Sequence, residues 1–259
     1  MKLKTMYGLP EKVRFCKKSL TSNQTPQSTQ EFRHTINSKK KTLFIDKNGI
    51  SDPWKYSRIK KRINYKQREK KLLRLLEKHR GKGEFDCVVP GSGGKDSCYA
   101  AHVLKYKYGM NPLLVTWSPN LYTEYGYRNF KNWVRSGPFT CISSKRNEKL
   151  LKTLTKLSIE NLLHPFQPFI SGQKAFPPKI AEKMKIPLVF YGENEAEWHN
   201  AIAENRSSLR DKSFHEYKNL SEIRLGGLKI NEIIRDYNFK IKDFEPFLPL
   251  KAEKLEKFP

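Results

Sequence analysis

Long apolar runs are absent from this chain: no stretch approaches the roughly 18 consecutive apolar side chains that a membrane-spanning helix requires. The opening residues, Met1 to Pro10, hold no apolar segment followed by a cleavage site, so no secretion signal is expected and the cytoplasm is the expected compartment. Cysteines are few and scattered. Cys16, Cys87, Cys98 and Cys141 include no C-x-x-C pair, which excludes an ordinary metal knuckle or redox dithiol and gives no sign of an oxidising environment. Acidic residues are scarce as well, 26 against 51 basic ones, leaving a formal charge of +25. Arginine is the minority among those bases, 14 against 37 lysines. Nucleic-acid sites lean on the planar, bidentate fork of arginine, and here the excess is lysine spread along the whole chain. A solvated lysine-rich surface is therefore favoured over a nucleic-acid face, although the charge alone does not exclude a nucleic-acid partner.

What is present divides into three parts. Residues 1–54 are irregular, with a polar stretch from Asn23 to Gln30 and a basic run from Ser38 to Lys41 that have little means to form a core. Within them Thr42 to Ile45 reads as a short strand, followed by a turn over Asp46 to Gly49. Residues 55–84 read as one basic connecting helix, with Ile59, Ile63, Leu72, Leu73 and Leu76 forming a narrow apolar stripe and Gly81 and Gly83 ending it. Residues 85–259 alternate strand and helix patterns. Strands are predicted at Asp86–Pro90, Leu113–Trp117, Phe139–Ser143 and Pro187–Tyr191, with helices between them. The stretch His164–Ile170 reads as proline-broken, and a short helix follows near Pro178 to Met184. Beyond Asn200 the pattern weakens: Leu220–Tyr237 reads as helical and the last 20 residues as a loose end. The succession predicts an α/β fold, a doubly wound parallel sheet with helices on both faces.

The chemistry-bearing segment is Ser92-Gly93-Gly94-Lys95-Asp96-Ser97, set just past the first of these strands. Open parallel sheets bind ligands at the carboxyl ends of their strands. Glycines there let backbone N–H groups approach phosphate oxygens, and the helix that begins near Asp96 adds unpaired N–H groups and a positive dipole end. The segment is no Walker A loop, because Lys95 is followed by Asp96 and Val89 stands where the first glycine belongs. It is no G-x-G-x-x-G turn either, because Asp96 takes the last glycine position.

The S-G-G-x-D-S pattern of Ser92–Ser97 resembles the PP-loop of the N-type ATP pyrophosphatases, whose fold is adenine nucleotide alpha-hydrolase-like. That resemblance implies that Ser92, Gly93, Gly94, Lys95, Asp96 and Ser97 hold the phosphates of ATP and that Asp96 helps to hold a Mg²⁺. It also implies attack on the α-phosphorus, with AMP and pyrophosphate as products. His164-Pro165-Phe166-Gln167-Pro168-Phe169-Ile170, Gly172-Gln173-Lys174 and Tyr191-Gly192-Glu193-Asn194-Glu195-Ala196-Glu197 are similar to segments of the N-acetyl sugar amidotransferases. Those enzymes make acetamidino sugars for lipopolysaccharide O-antigen and for pseudaminic or legionaminic acid derivatives on flagellin. The implied partners are a nucleotide-linked N-acetyl sugar and a glutaminase subunit that supplies ammonia. The implied catalytic residues are Lys95, Asp96, Ser97 and Glu193. The implied substrate contacts are Gln167, Gln173, Glu193, Asn194 and Glu197.

Two features depart from that family. Its N-terminal cysteine knuckle is reduced to Cys16, Ser19, Ser51 and Trp54 at the matching positions, so no zinc is expected. The family also continues beyond the point where this chain stops. Two other functions therefore stay open: a tRNA-modifying PP-loop enzyme, either thiolase or lysidine-type ligase, and an ATP-binding remnant without catalysis.

Overall fold

The computed structural model describes residues 8–26, 30–193 and 212–256. Its centre is a parallel sheet of three short strands, β1 (Cys87–Pro90), β2 (Pro112–Thr116) and β3 (Cys141–Ser143), in the order β1-β2-β3. On the free side of β1 the chain returns as a single parallel bridge from Val88 to Val189, held by Val88 N–H to the Leu188 carbonyl and Phe190 N–H to the Val88 carbonyl, each 2.8 Å. The expected fourth strand is thus in place but is only one bridge long.

Both faces of the sheet are buried, which explains why its strands read as unbroken apolar runs rather than alternating ones. Cys87, Val89 and Leu114 face a cluster completed by Leu76, Ala101 and Trp133, contributed by helices α2 (Tyr65–His79), α3 (Lys95–His102) and α4 (Glu124–Ser136). Val88, Leu113 and Val115 face Phe176, Ile180 and Ala181 of helix α6 (Gln167–Lys183). The buried Asp86 carboxylate joins α2 to the sheet, accepting from Gly81 N–H at 2.6 Å and Asn111 N–H at 2.7 Å.

Several expectations are corrected here. The connecting helix is two helices, α1 (Asp52–Lys60) and α2, because the Asn64 side chain caps a new start by accepting from Gln67 N–H at 3.1 Å. Its stripe shrinks accordingly: Leu76 is buried and Leu72 half-buried, while Ile59 and Leu73 are exposed. The Thr42–Ile45 strand is reduced to isolated bridges, Pro26 to Thr42 and Ile45 to Ser51. The stretch from Gln167 to Lys183 is one helix despite Pro168, Pro177 and Pro178. Pro168 sits in the first turn, where a missing N–H costs nothing. Pro177 and Pro178 are interior, a placement that costs about 3 kcal/mol in an isolated helix. Burial of both rings against neighbouring elements offsets that cost here.

The part beyond residue 212 is packed rather than loose. A 3-10 turn at Leu220–Glu222, a small hairpin of β4 (Arg224–Leu225) and β5 (Leu228–Lys229), and helix α7 (Ile230–Tyr237) replace the single helix expected over 220–237. Phe244 and Phe247 are fully buried in a third cluster with Trp117 and with Leu150 and Leu154 of helix α5 (Glu148–Leu162). Phe32 belongs to the same cluster, and Arg33 pairs with Glu222 at 2.6 Å, so the N-terminal part is held by the C-terminal part as well as by α1.

The four knuckle-matching residues come together. Cys16 Sγ accepts from Ser51 N–H at 3.2 Å, Ser19 Oγ lies 3.4 Å from Ser51 Oγ, and Trp54 packs on Cys16, Leu43 and Ile45. Burial pushes the Cys16 thiol up, but hydrogen bonds from Ser19, Ser51 and nearby backbone outweigh it and hold the group down at about 6. Sulfur is thus stabilised here by protein donors.

Gln167 ties the three regions to one another. Its amide nitrogen donates to the Glu31 carbonyl at 2.7 Å and the Arg224 carbonyl at 3.0 Å, and its oxygen accepts from Gly226 N–H at 3.0 Å. Each buried group left unpaired costs about 1–3 kcal/mol, so Gln167→Ala is expected to lose at least about 3 kcal/mol in urea unfolding. Early proteolysis near Glu31 should accompany that loss. A change under about 1 kcal/mol would contradict the clamp.

Candidate functional site

After β1 the chain turns through Gly91–Gly94 into α3. Two bonds fix the turn to β2: Gly91 N–H donates to the Val115 carbonyl at 3.1 Å, and the buried Thr116 hydroxyl donates to the Gly91 carbonyl at 2.7 Å. Gly93 has φ +90°, and a Cβ there would stand 2.6 Å from the backbone nitrogen of Phe130 in α4. The demand for glycine at 93 thus comes from the helix beside it. Gly94 caps α3, and a Cβ there would meet nothing within 4 Å. From the other side the segment after Val189 crosses the start of α3 so closely that a Cβ on Gly192 would lie 2.6 Å from the Asp96 carbonyl carbon and Ser97 nitrogen.

A cavity of about 250 Å³ opens between these pieces. Ser92, Gly94, Asp96 and Ser97 line one side, Tyr191, Gly192 and Glu193 another, and Gln173 and Lys174 of α6 a third. Trp117, just past β2, and Phe169 supply aromatic surface. The first turn of α3 has no intrahelical acceptors for its N–H groups, so this end of the cavity offers donors to an anion. Pro177 and Pro178 lack the N–H groups that would bond the Gln173 and Lys174 carbonyls, and His215 Nδ1 lies 3.4 Å from the second of these.

Most of the residues singled out from sequence meet in this cavity, and some do not. Lys95 is not part of the lining; its largely exposed ammonium contacts Asp96 Oδ1 at 2.7 Å. An exposed pair of this kind contributes little to stability, so a cation arriving at Asp96 displaces it at small cost. The Ser97 hydroxyl donates back to the Gly94 carbonyl at 3.1 Å, and a phosphate would compete for that proton. Gln167 is withdrawn as a substrate contact, because it is fully buried and its amide is engaged by backbone groups of three segments. Gln173 and Glu193 line the cavity, whereas Asn194 and Glu197 lie outside the described residues. Trp117, Phe169 and Tyr191 were not singled out as site residues. The signal for Trp117 was its position one residue past a buried strand, at the sheet edge where the loop also sits.

Among the described residues no three His, Cys, Asp or Glu side chains cluster to hold a metal by themselves. Mg²⁺ in a phosphate site needs no such cage, since one or two carboxylates and the phosphate oxygens suffice. Asp96 and Glu193 both line the cavity and supply the one or two carboxylates of that requirement.

The two glycines of the turn separate packing from ligand approach. Gly93→Ala combines a positive φ with a backbone clash and should cost at least about 2 kcal/mol in urea unfolding. Gly94→Ala meets open space and should stay within about 1 kcal/mol of wild type. Equal losses would contradict the geometry of the turn. Set against known proteins, the chain matches no family model and no curated sequence.

Proposed function

We propose that this chain is an ATP-dependent amidotransferase of the PP-loop type that forms AMP and pyrophosphate while converting the N-acetyl group of a nucleotide-linked sugar to an acetamidino group. The observation that carries this is the Ser92–Ser97 turn opening into one cavity with Gln173 and Glu193. The sheet supports it too. β2 lies on one side of β1 and the Val189 bridge on the other, with helices on both faces, and this arrangement is what we read as the strand-order reversal of a doubly wound sheet beside the cavity.

In the proposed reaction the acetamido oxygen forms a bond to the α-phosphorus of ATP, and the bond to the leaving pyrophosphate breaks. Ammonia then adds to the activated carbon, AMP departs with the former acetyl oxygen, and a proton is lost to leave the amidine. No protein nucleophile is required, because positioning and charge stabilisation carry both steps. The loop N–H groups hold the phosphates, and Asp96 would hold a Mg²⁺, which would supply positive charge for the leaving pyrophosphate. Glu193, which lines the same cavity, is the residue we assign to take the proton from the incoming ammonia. A glutaminase subunit is the proposed ammonia source.

The thiols near the sheet are poor sulfur carriers, and Cys16, held down at about 6, is not among the residues lining the cavity. Burial pushes Cys87 up to about 12 and raises Cys98 and Cys141 as well, so none of the three is a ready thiolate.

The test is to incubate the protein with Mg·ATP, ammonium and UDP- or CMP-linked N-acetyl sugars and to identify the nucleotide product. AMP and pyrophosphate in equal amounts are expected, and Asp96→Ala should lower turnover by at least about tenfold. ADP as the main product would contradict the assignment. ATP binding without any AMP would instead indicate a non-catalytic remnant.

A further inference from the structure

Three strand ends share one edge of the sheet. The loop follows β1, Trp117 follows β2, and Arg146 follows β3. The Arg146 guanidinium lies over the Trp117 ring, its Cζ 4.8 Å from the centroid. Nη2 donates to the Pro119 carbonyl at 3.2 Å. Among the described residues Nη1 is buried and has no hydrogen-bond partner. Burial lowers the pKa of the group, and among the described residues the neighbour that opposes the effect is the Tyr122 phenol, with no carboxylate answering this charge.

An arginine in that state is unusual. Half-buried guanidinium groups normally pair with carboxylates, because a desolvated donor left unmade is costly. This one is instead held flat by an aromatic ring and a backbone carbonyl, with part of its fork unused. A planar fork of N–H donors matches the oxygens of a phosphate. Trp117, on which it rests, is also a wall of the loop cavity, so Arg146 stands one side chain away from it. The segment between Trp117 and α4 is irregular and carries Leu121 at 90% exposure, so no regular element among the described residues covers this approach.

We propose that Arg146 binds a phosphate of the second substrate, so that the acceptor enters as a phosphate-bearing sugar at the β2–β3 end of the cavity while ATP occupies the β1 end. This rests on the function proposed above for its second substrate, though not for the anion site itself. The residue is partly buried, and rotation of its terminal torsions would present Nη1 to a phosphate arriving from solvent. Trp117 then acts as the floor that keeps the guanidinium oriented.

The experiment uses UDP as probe, with uridine as its uncharged counterpart, on the full chain saturated with Mg²⁺ and the non-hydrolysable analogue AMP-CPP. Calorimetry on wild type is expected to show UDP binding and no uridine binding. Arg146→Ala should weaken UDP by at least about tenfold, and Arg146→Lys should fall between them, since lysine keeps the charge but loses the fork. Affinity for AMP-CPP should stay the same in all three. Arg146→Lys retains charge and stem, so it serves if the alanine variant fails to fold. UDP binding equally to wild type and variants, or not at all to wild type, would overturn the proposal. Failure of AMP-CPP to bind wild type, with Arg146-dependent UDP binding intact, would instead overturn the role given to the loop.

Discussion

The turn from Gly91 to Gly94 is confined by protein on three sides, and the architecture of the site follows from that confinement. Thr116 holds the Gly91 carbonyl from β2, the Phe130 backbone presses on Gly93 from α4, and Gly192 lies against the first turn of α3. Only the side at Gly94 is open. A loop fixed in this way presents its donors in one arrangement before any ligand arrives. Such preorganisation is what lets backbone dipoles stabilise charge without reorganising during reaction.

Helix α6 carries the opposite wall, and its position depends on contacts far apart in sequence. Gln167 at its start joins the 31, 224 and 226 backbones, and Lys179 near its end pairs with Glu245 at 2.9 Å. Between them, two prolines strip hydrogen-bond donors from the turn that carries Gln173 and Lys174. The cavity is donor-rich at α3, and Gln173, Lys174 and the aromatic surface of Trp117 and Phe169 also line it.

Much of this was legible in sequence because it is local. The buried strands declare themselves as short apolar runs, and the glycine turn declares itself by spacing. What was illegible depends on distant partners. Pro177 and Pro178 break a helix in isolation, and only their burial against other elements reverses that expectation. Phe244 and Phe247 look like a loose tail until α5 and Trp117 are folded against them. Gln167 lies in a motif-like stretch beside Gln173, and sequence cannot distinguish an amide saturated by backbone from one facing a ligand. The demand for glycine at 93 comes from α4, some 35 residues away, a contact no loop motif announces.

The central claim is that backbone N–H groups of the turn and the first turn of α3 hold the phosphates of ATP. Amide NMR of the ¹⁵N-labelled protein titrated with Mg·AMP-CPP tests it most directly. The account predicts that the N–H resonances of Gly93, Gly94, Asp96 and Ser97 move first and furthest, while those of Cys16, Ser51 and the other amides around Cys16 stay fixed. Saturable binding that leaves these four resonances unmoved would contradict it.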